Sequence, residues 1–288
     1  MTRVGFVGLG RMGLPMAHHI AADGHDLVGY DVEPSARHRA AAAGLVVADD
    51  IAGLADVELV GSSLPDTPDV QDAYGAPGGI FDRAAPGTVC VDMSTISVAG
   101  STALAAQAKA AGLHFLDAPV GGTSIHAEAG TLVVMVGGDR AALAVAEPVI
   151  ATFASLVHHV GQNGAGLRLK LIMNRLLTTH LAAIAEAVVE MEMLDLDVGQ
   201  GFDILRSGPI PKLLDYKAQA LTMRDFTPQF PTDLMRKDLR IASESLPAAR
   251  LATASRAILE ETAELGHGSD DMASLIEVVE AYIRKGQE

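Results

Sequence analysis

The feature that most constrains the fold of this chain is a set of three glycines between an apolar segment and a helical segment. Residues 3–7 read Arg-Val-Gly-Phe-Val, which is typical of a buried strand, and residues 14–22 have helical character. Gly8, Gly10 and Gly13 lie between them with the spacing G-x-G-x-x-G. The first glycine allows a tight turn, the second lets a pyrophosphate approach the backbone, and the third lets helix and strand pack closely. The pattern therefore predicts a strand, a dinucleotide-binding turn and a helix.

A carboxylate follows the next apolar segment. Asp31 comes directly after Asp26-Leu-Val-Gly-Tyr30, at the end of the second predicted strand. A carboxylate there accepts hydrogen bonds from ribose hydroxyls and repels a 2′-phosphate, which favours NAD over NADP. The free N–H groups of the helix N-terminus favour the phosphates. The competing interpretations are a glycine-rich turn that binds nothing and an aspartate that only ends the strand. The predicted cofactor contacts here are Gly8, Leu9, Gly10, Arg11, Met12, Gly13 and Asp31.

Strand-like and helix-like segments alternate as far as about residue 159. This alternation predicts an α/β domain with a doubly wound, mostly parallel sheet of the Rossmann type. Such sheets bind ligands beyond the carboxyl ends of their strands, so we expect chemistry at residues 64–68, 93–97 and 118–124. The later strands are predicted at residues 45–48, 57–61, 89–92, 114–117, 132–136 and 156–160.

The pattern changes after Gly164, because the remaining sequence contains only helical segments. Residues 167–194 predict one long helix that is apolar on most sides, so we expect it to be buried between domains or subunits. The sequence therefore predicts an N-terminal Rossmann domain at residues 1–163 and a C-terminal all-α domain at residues 164–288.

Composition excludes several classes of function. The formal net charge of −15 disfavours nucleic acid and anionic membranes as partners. Cys90 is the single cysteine of the chain, which excludes an intrachain disulfide and fits a cytoplasmic protein. No apolar stretch without charges is long enough to span a membrane, and Met1 leads directly into the first strand, so we expect neither a membrane anchor nor a signal peptide. The ten histidines form no recognisable metal-binding pattern, so no metal is expected.

A line of polar residues interrupts the long apolar helix. Lys170 and Asn174 are four residues apart and share a face, and Thr178 continues that face by one turn. Burying these groups costs free energy that something must offset. One interpretation is a polar ligand in an interdomain cleft. The other is a lysine that extends to solvent while the asparagine bonds a neighbouring backbone group.

The chain resembles the β-hydroxyacid dehydrogenases over essentially its whole length. The resemblance rests on Gly8-Leu-Gly-Arg-Met-Gly13, Asp117-Ala-Pro-Val120 followed by Gly130-Thr-Leu132, Gly164-Ala-Gly166 with Lys170 and Asn174, and Lys237-Asp-Leu239. It implies that Lys170 is the catalytic acid/base and that Asn174 holds the substrate. It also implies that Lys237 reaches the cleft, at the substrate or the cofactor. Leu64, Pro65, Ser94 and Thr95 would line the nicotinamide side.

The predicted substrate loop departs from the pattern of that family. The family reads Asp-Ala-Pro-Val-Ser-Gly-Gly, whereas this chain has Gly121 at the serine position and Thr123 at the last glycine. The serine role is therefore not transferred. Backbone N–H groups of Gly121 and Gly122 can bind an anion, and Thr123 and Ser124 can supply hydroxyls. The loop also resembles the Gly-Arg-Thr-Ser variant of sulfolactaldehyde reductases, with Gly122 at the arginine position. The competing interpretation of this loop is that it packs against the protein and contacts no substrate. The competing interpretation of Lys237 is that it belongs to a solvated helix face, together with Arg236, Asp238 and Arg240.

These observations predict an NAD-dependent oxidoreductase that moves a hydride between nicotinamide and a short, anionic 3-hydroxy acid or its semialdehyde. One alternative is a sulfolactaldehyde-type or other aldehyde or imine reductase on the same fold. Another, from a different class, is a non-catalytic scaffold that binds the cofactor. The predicted site combines Lys170, Asn174 and Lys237, which the resemblance implies, with Thr178 on the same helix face and with residues 121–124. We expect the helical domain to form a homodimer or homotetramer.

Overall fold

The computed structural model describes the backbone of residues 1–207 and 211–285, and the side chains of residues 1–207 and 217–285. By its internal contacts the chain divides into two compact units, Met1–Lys170 and Leu171–Glu288. The division falls inside a long helix, seven residues after the predicted division between residues 163 and 164. The predicted fold class, a Rossmann-type sheet followed by a helical domain, is confirmed.

The first unit contains a nine-stranded sheet flanked by helices. The strands are β1 (Arg3–Val7), β2 (Asp26–Tyr30), β3 (Val46–Val47), β4 (Leu59–Ser62), β5 (Val89–Asp92), β6 (His114–Asp117), β7 (Val120–Gly121), β8 (Leu132–Gly137) and β9 (Ala154–Gly161). Their order in the sheet is β3-β2-β1-β4-β5-β6-β8-β7, and β9 lies outside this path and also pairs with β8. Strands β1 to β6 are mutually parallel, as the alternation of segments predicts.

The helices of the first unit cover both faces of this sheet, and β1, β4, β5 and β6 are almost entirely buried between them. Cys90 lies in β5, where it is a fully buried free thiol. The helices are α1 (Gly13–Ala22), α2 (Pro34–Ala42), α3 (Thr67–Gly75), α4 (Ile80–Arg83), α5 (Val98–Ala110), α6 (Ser124–Glu128) and α7 (Arg140–Ile150), with a 3₁₀ turn at Ile51–Leu54.

The segment between β6 and β8 differs from the prediction. The sequence predicts a loop at residues 118–124, but Val120 and Gly121 form the short strand β7, which pairs antiparallel with β8. Strand β8 also runs antiparallel to β6, where Asp117 pairs with Gly137. A two-residue strand is too short to show alternation, so its pairing depends on long-range contacts that the local sequence does not encode.

The second unit is helical in the part that the structure describes. Its helices are the later part of α8 (Ala165–Met193), α9 (Val198–Arg206), α10 (Pro211–Met223), α11 (Thr232–Ser245), α12 (Arg250–Thr262) and α13 (Ile276–Lys285), with a π turn at Ala263–His267 and a 3₁₀ turn at Met272–Leu275. Its core consists of apolar side chains from α8, α9, α10, α11, α12 and the C-terminal segment.

Helix α8 is long and apolar enough to cross a membrane, and 44% of its most apolar window is buried within the protein. The core helix of a soluble protein has the same length and composition, so this property alone is weak support for a membrane span.

A buried ion pair holds the second unit together. Lys217 of α10 donates to Asp271 Oδ1 at 2.7 Å, and the two side chains are 2% and 1% exposed. Asp271 also accepts the backbone N–H groups of Gln229 and Phe230 through Oδ2 and that of Ala273 through Oδ1. The carboxylate thus joins α10 to the segment before α11 and to the turn before α13.

We expect Lys217→Met to lower the free energy of unfolding by about 3–5 kcal/mol, because it leaves the carboxylate of Asp271 buried without its charge partner. The measurement is equilibrium denaturation in urea. The control is Arg284→Met, which removes the exposed partner of Glu280 on α13 while Glu280 keeps its ion pair with Arg224, and is expected to cost less than about 0.5 kcal/mol. Equal losses in the two variants would show that the buried pair has no special role.

Candidate cofactor and substrate site

The glycine turn between β1 and α1 has the geometry that its sequence predicts. Gly8 has φ +90°, and a Cβ there would lie 2.3 Å from the carbonyl oxygen of Ser63. A Cβ on Gly13 would lie 1.8 Å from the carbonyl oxygen of Gly8. Only glycine fits these two positions, because the first requires a left-handed backbone and the second a close approach of helix to turn.

Gly10 differs from its two neighbours in the motif. A Cβ on Gly10 would meet nothing within 4 Å, so the backbone there faces open space. Met12 precedes α1 and provides no side-chain hydrogen bond to the helix N-terminus. This uncapped N-terminus beside an accessible glycine is suited to a pyrophosphate, since N–H groups and the helix dipole both favour an anion. Gly10, Arg11 and Met12 would hold the phosphates of a dinucleotide.

Asp31 lies beside the same turn. Its Oδ2 accepts the backbone N–H of Leu9 at 2.7 Å, and its Oδ1 accepts the N–H of Glu33 at 2.9 Å. The carboxylate therefore fixes the turn as well as ending β2. Each carboxylate oxygen has a second lone pair, so these bonds leave acceptor capacity for the ribose hydroxyls. Arg37 donates to the carbonyl oxygen of Asp31 at 2.5 Å and lies over the ring of Tyr30.

A hydrogen-bond network joins the loops after β4 and β5. Asp92 Oδ1 accepts the hydroxyls of Ser62 at 2.8 Å and Ser94 at 2.6 Å, and Tyr74 donates to Ser62 at 2.9 Å. Ser94 in turn accepts the N–H of Leu64 at 2.8 Å. The hydroxyl of Ser94 is therefore buried and holds the two loops together.

Three other residues predicted to contact the cofactor lie near this network. Leu64 and Thr95 are half-buried, and Pro65 is exposed. These residues present their surfaces at the carboxyl ends of β4 and β5, where a parallel sheet binds its ligand.

The predicted substrate loop is organised around Thr123. Gly121 is buried in β7, whereas Gly122 is exposed with φ +122°. Thr123 donates its backbone N–H to His126 Nδ1 at 3.2 Å, and its Oγ1 lies 3.2 Å from the same nitrogen. This capping box starts α6 at Ser124, which is half-buried. The loop is thus a folded turn whose side chains bond one another.

The polar line on α8 is buried. Lys170 is 7% exposed, Asn174 is 1% exposed and Thr178 is fully buried. The lysine therefore does not extend freely to solvent as one of the two interpretations requires. Thr178 donates its hydroxyl to the carbonyl oxygen of Asn174 at 2.9 Å within the helix. Its hydroxyl hydrogen is accordingly used by α8 itself.

Asp238 brings Asn174 and Lys237 together in the second unit. Asn174 Nδ2 donates to Asp238 Oδ2 at 2.6 Å, and Lys237 Nζ lies 3.2 Å from Asp238 Oδ1. Asp238 is 2% exposed and the side chain of Lys237 is 16% exposed. The interpretation of Lys237 and Asp238 as part of a solvated helix face is therefore wrong. The carboxylate orients the amide of Asn174 and holds the ammonium group.

The sequence reasoning overlooked Asp238, although its pattern contains the clue. Met235, Leu239 and Ala242 follow one another at helical spacing and form the buried face of α11. Asp238 lies on that face, three residues after the first of them and one before the second. A carboxylate on an apolar helix face needs a buried partner, which is an indication of a site. Among the described residues, no group of three or more histidine, cysteine or acidic side chains could hold a metal ion.

The fold and the glycine turn define a dinucleotide-binding oxidoreductase, and comparison with known proteins agrees. Residues 3–161 match the family model described as the NAD binding domain of 6-phosphogluconate dehydrogenase. Residues 164–279 match the model described as the NAD-binding domain of NADP-dependent 3-hydroxyisobutyrate dehydrogenase. The chain is 32% identical to 2-(hydroxymethyl)glutarate dehydrogenase of Eubacterium barkeri, over 96% of this chain and 95% of the relative.

Two further relatives cover almost the whole chain. The 3-sulfolactaldehyde reductase of Escherichia coli is 30% identical over 97% of this chain and 96% of its own. The solved structure of Mycobacterium tuberculosis 3-hydroxyisobutyrate dehydrogenase with L-serine has 33% identity and a TM-score of 0.87, over 97% of this chain and 99% of that chain. The chain belongs to the β-hydroxyacid dehydrogenase family. It is an NAD-dependent oxidoreductase of hydroxy acids.

We expect Asp31→Asn to raise the ratio of kcat/KM for NADP⁺ to that for NAD⁺ by about tenfold or more, because removing a charge within a few ångströms of a 2′-phosphate removes a repulsion of about 1–4 kcal/mol. The measurement is initial rates with each coenzyme. Asp23→Asn is the matched control, since Asp23 is an exposed carboxylate just after α1. An unchanged ratio would mean that Asp31 only shapes the turn.

Proposed function

We propose that this enzyme oxidises the primary alcohol of a 2-substituted 3-hydroxypropanoate to the corresponding semialdehyde, or catalyses the reverse reduction. The observation that carries the proposal is the burial of Lys170 on the same face of α8 as Asn174. A lysine held on a buried helix face is suited to acid/base chemistry, because it can exchange a proton with a substrate hydroxyl placed within hydrogen-bonding distance.

The names of the relatives point to this substrate class. Both 3-hydroxyisobutyrate and 2-(hydroxymethyl)glutarate carry a CH₂OH group on the carbon next to a carboxylate. L-serine, present with the mycobacterial structure, has the same arrangement with an amino group at that carbon. The shared unit is a hydroxymethyl group and a carboxylate on one carbon, and the third substituent differs between them.

Lys170 is the proposed acid/base. In the oxidative direction its neutral Nζ takes the proton of the substrate hydroxyl, while the alcohol carbon loses a hydride. In the reductive direction the ammonium form returns that proton to the carbonyl oxygen. When bound, the nicotinamide accepts or supplies the hydride.

Asn174 is the proposed substrate-positioning residue. Because Asp238 accepts a hydrogen bond from its Nδ2, the amide of Asn174 has a fixed orientation. We propose that its Oδ1 and its second N–H bind a hydroxyl or carboxylate of the substrate. Thr178 supports Asn174 through its bond within α8. Lys237, held by Asp238, supplies positive charge for the anionic substrate or the cofactor.

The loop at residues 121–124 is the proposed site for the acid group of the substrate. Gly122 leaves its backbone accessible, and Thr123 and Ser124 carry hydroxyls at the start of α6. Hydroxyls and N–H groups suit a carboxylate or a sulfonate alike, so this loop is compatible with either acid group.

We also propose a soluble cytoplasmic enzyme that assembles as a homodimer or homotetramer and has no nucleic-acid or membrane partner. The acidic net charge supports the proposal that nucleic acids and anionic membranes are not partners. Leu169, Ile172 and Leu176 are exposed along α8 and support an interface between copies.

The deciding experiment follows NADH absorbance with a panel of alcohols under NAD⁺, with NADP⁺ in parallel. The panel contains 3-hydroxyisobutyrate, 2-(hydroxymethyl)glutarate, L-serine, 3-hydroxypropionate, 4-hydroxybutyrate, glycerate, threonate and 2,3-dihydroxypropanesulfonate. We expect kcat/KM to be highest for a 2-substituted 3-hydroxypropanoate and lower for 4-hydroxybutyrate, whose hydroxyl is one carbon further from the carboxylate. Preference for the sulfonate would instead favour a sulfolactaldehyde-type reductase. Tight NAD⁺ binding without turnover of any alcohol would favour the scaffold.

A further inference from the structure

We propose that Asp117 is a positioning residue of the reaction, because its carboxylate anchors the first turn of α8 to strand β6 and thereby places Lys170. The proposal rests on the proposed function of Lys170. The carboxylate of Asp117 accepts hydrogen bonds from Gly164 and Leu167, which belong neither to the glycine turn nor to the substrate loop.

Both oxygens of Asp117 bind the beginning of α8. Oδ1 accepts the backbone N–H of Gly164 at 2.6 Å, and Oδ2 accepts that of Leu167 at 3.0 Å. The first N–H groups of a helix have no partner within it, so the carboxylate supplies the acceptors that the helix lacks. Asp117 itself is 1% exposed and lies at the end of β6, so the helix start is fixed directly to the sheet.

Close packing reinforces this anchor. A Cβ on Gly166 would lie 2.2 Å from the carbonyl oxygen of Met135 and 2.9 Å from Asp117 Oδ2. A Cβ on Gly137 would lie 2.6 Å from Asp117 Oδ1. Asn163 adds a bond of 2.7 Å from its Nδ2 to the carbonyl oxygen of Phe115, also in β6. The glycines therefore leave the space that the carboxylate and the helix start occupy together.

Lys170 follows Leu167 by three residues on the same helix, and its contacts place it in the first unit. Its backbone is thus less than one turn from the bond to Asp117. A displacement of the first turn moves the lysine with it, and a shift of about 1 Å at a reacting group can cost about 100-fold in rate.

The anchor has a cost that argues for a role beyond folding. Burial raises the pKa of Asp117 to about 6, although backbone hydrogen bonds, those from Gly164 and Leu167 among them, lower it. The negative charge of neighbouring Asp92 adds a smaller upward shift of this pKa. At neutral pH the protein keeps a charge in a place that favours the neutral acid. Asp139 provides a comparison, because it also accepts two backbone N–H groups at a helix start, those of Ala141 at 2.7 Å and Ala142 at 3.1 Å, but it does so through Oδ1 alone and from an exposed position.

The test compares Asp117→Asn with Asp139→Asn in the full-length enzyme. An asparagine keeps the shape of the side chain but can accept only one of the two N–H groups through its single oxygen. For Asp117→Asn we expect faster amide hydrogen exchange at residues 164–170, an NAD⁺ Kd within about twofold of wild type, and a kcat about 10- to 100-fold lower. The primary deuterium isotope effect on kcat, measured with the best alcohol of the panel deuterated at its hydroxymethyl carbon, should rise towards its intrinsic value. If the substitution only lowered the fraction of folded enzyme, the isotope effect on kcat would not change.

Asp139→Asn should change none of these quantities. Wild-type kcat and exchange in Asp117→Asn would overturn the proposal, as would a lower kcat with an unchanged isotope effect and unchanged exchange. If Asp117→Asn does not fold, Asn163→Ala loosens the same segment, and unchanged exchange and turnover in that variant would count against the anchor. If the wild-type enzyme turns over no alcohol, the proposed function fails, while the exchange measurement still decides whether Asp117 holds the helix start.

Discussion

Lys170→Ala should abolish most of the turnover while leaving coenzyme binding intact. A positioned general acid/base contributes about 10²- to 10⁴-fold to a rate, so we expect kcat to fall by that factor. The glycine turn and Asp31, which are the proposed cofactor contacts, are unchanged in this variant, so the Kd of NAD⁺ should stay within about twofold. The measurement combines initial rates with titration of NAD⁺ by protein fluorescence or calorimetry.

Two further variants separate the acid/base role from the charge of Lys170. Lys170→Arg keeps a positive charge, but a guanidinium stays protonated and cannot act as a base, so this variant should be as inactive as the alanine variant. Lys109→Ala removes an exposed lysine from the last turn of α5 and should retain wild-type turnover. Near-normal kcat in Lys170→Ala would refute the assignment, and activity in the arginine variant alone would show that the residue serves only as a cation.

The parts of the fold that the sequence predicts are those that local chemistry decides. Gly8 and Gly13 lie at positions that only glycine fits, and the alternation of strand-like and helix-like segments predicts that strands β1 to β6 are parallel. Strand β7 could not be predicted, because Val120 and Gly121 become a strand only through pairing with β8. The sequence predicts the long helix at residues 167–194, whereas it starts at Ala165, where Asp117, 48 residues earlier, accepts the N–H groups of Gly164 and Leu167.

The candidate site shows the same limit. The spacing of Lys170, Asn174 and Thr178 places them on one helix face, but only the structure shows that all three are buried. Sequence reasoning singled out Lys237 and passed over its neighbour Asp238, because adjacent charges on a helix usually face solvent. Whether Asp238 faces solvent depends on how α11 packs against α8, and that packing is a tertiary property.

Asp238→Ala is the second change with a large expected effect. It leaves the Nδ2 group of Asn174 buried without its acceptor, which costs about 1–3 kcal/mol, and it removes the carboxylate that holds Lys237. We expect kcat/KM for the hydroxy acid to fall about 10- to 100-fold, since each 1.4 kcal/mol is tenfold. The loss should appear mainly in KM, because Asn174 and Lys237 are proposed to bind the substrate. Steady-state kinetics over a range of substrate concentrations measures the division between the two constants.

A double-mutant cycle with Asn174→Ala tests whether the effect passes through that residue. If Asp238 acts by orienting Asn174, the double variant should be little worse than either single variant, with a coupling energy of about 0.5–3 kcal/mol. Asp238→Asn keeps an oxygen for Asn174 but loses the charge beside Lys237, so it should retain an intermediate activity. Asp233→Ala is the control, because Asp233 lies on the same helix in an exposed pair with Arg236 and should change neither constant. Strictly additive losses from Asp238→Ala and Asn174→Ala would show that the carboxylate acts independently of the amide, and the role of Asp238 would then rest on Lys237 alone.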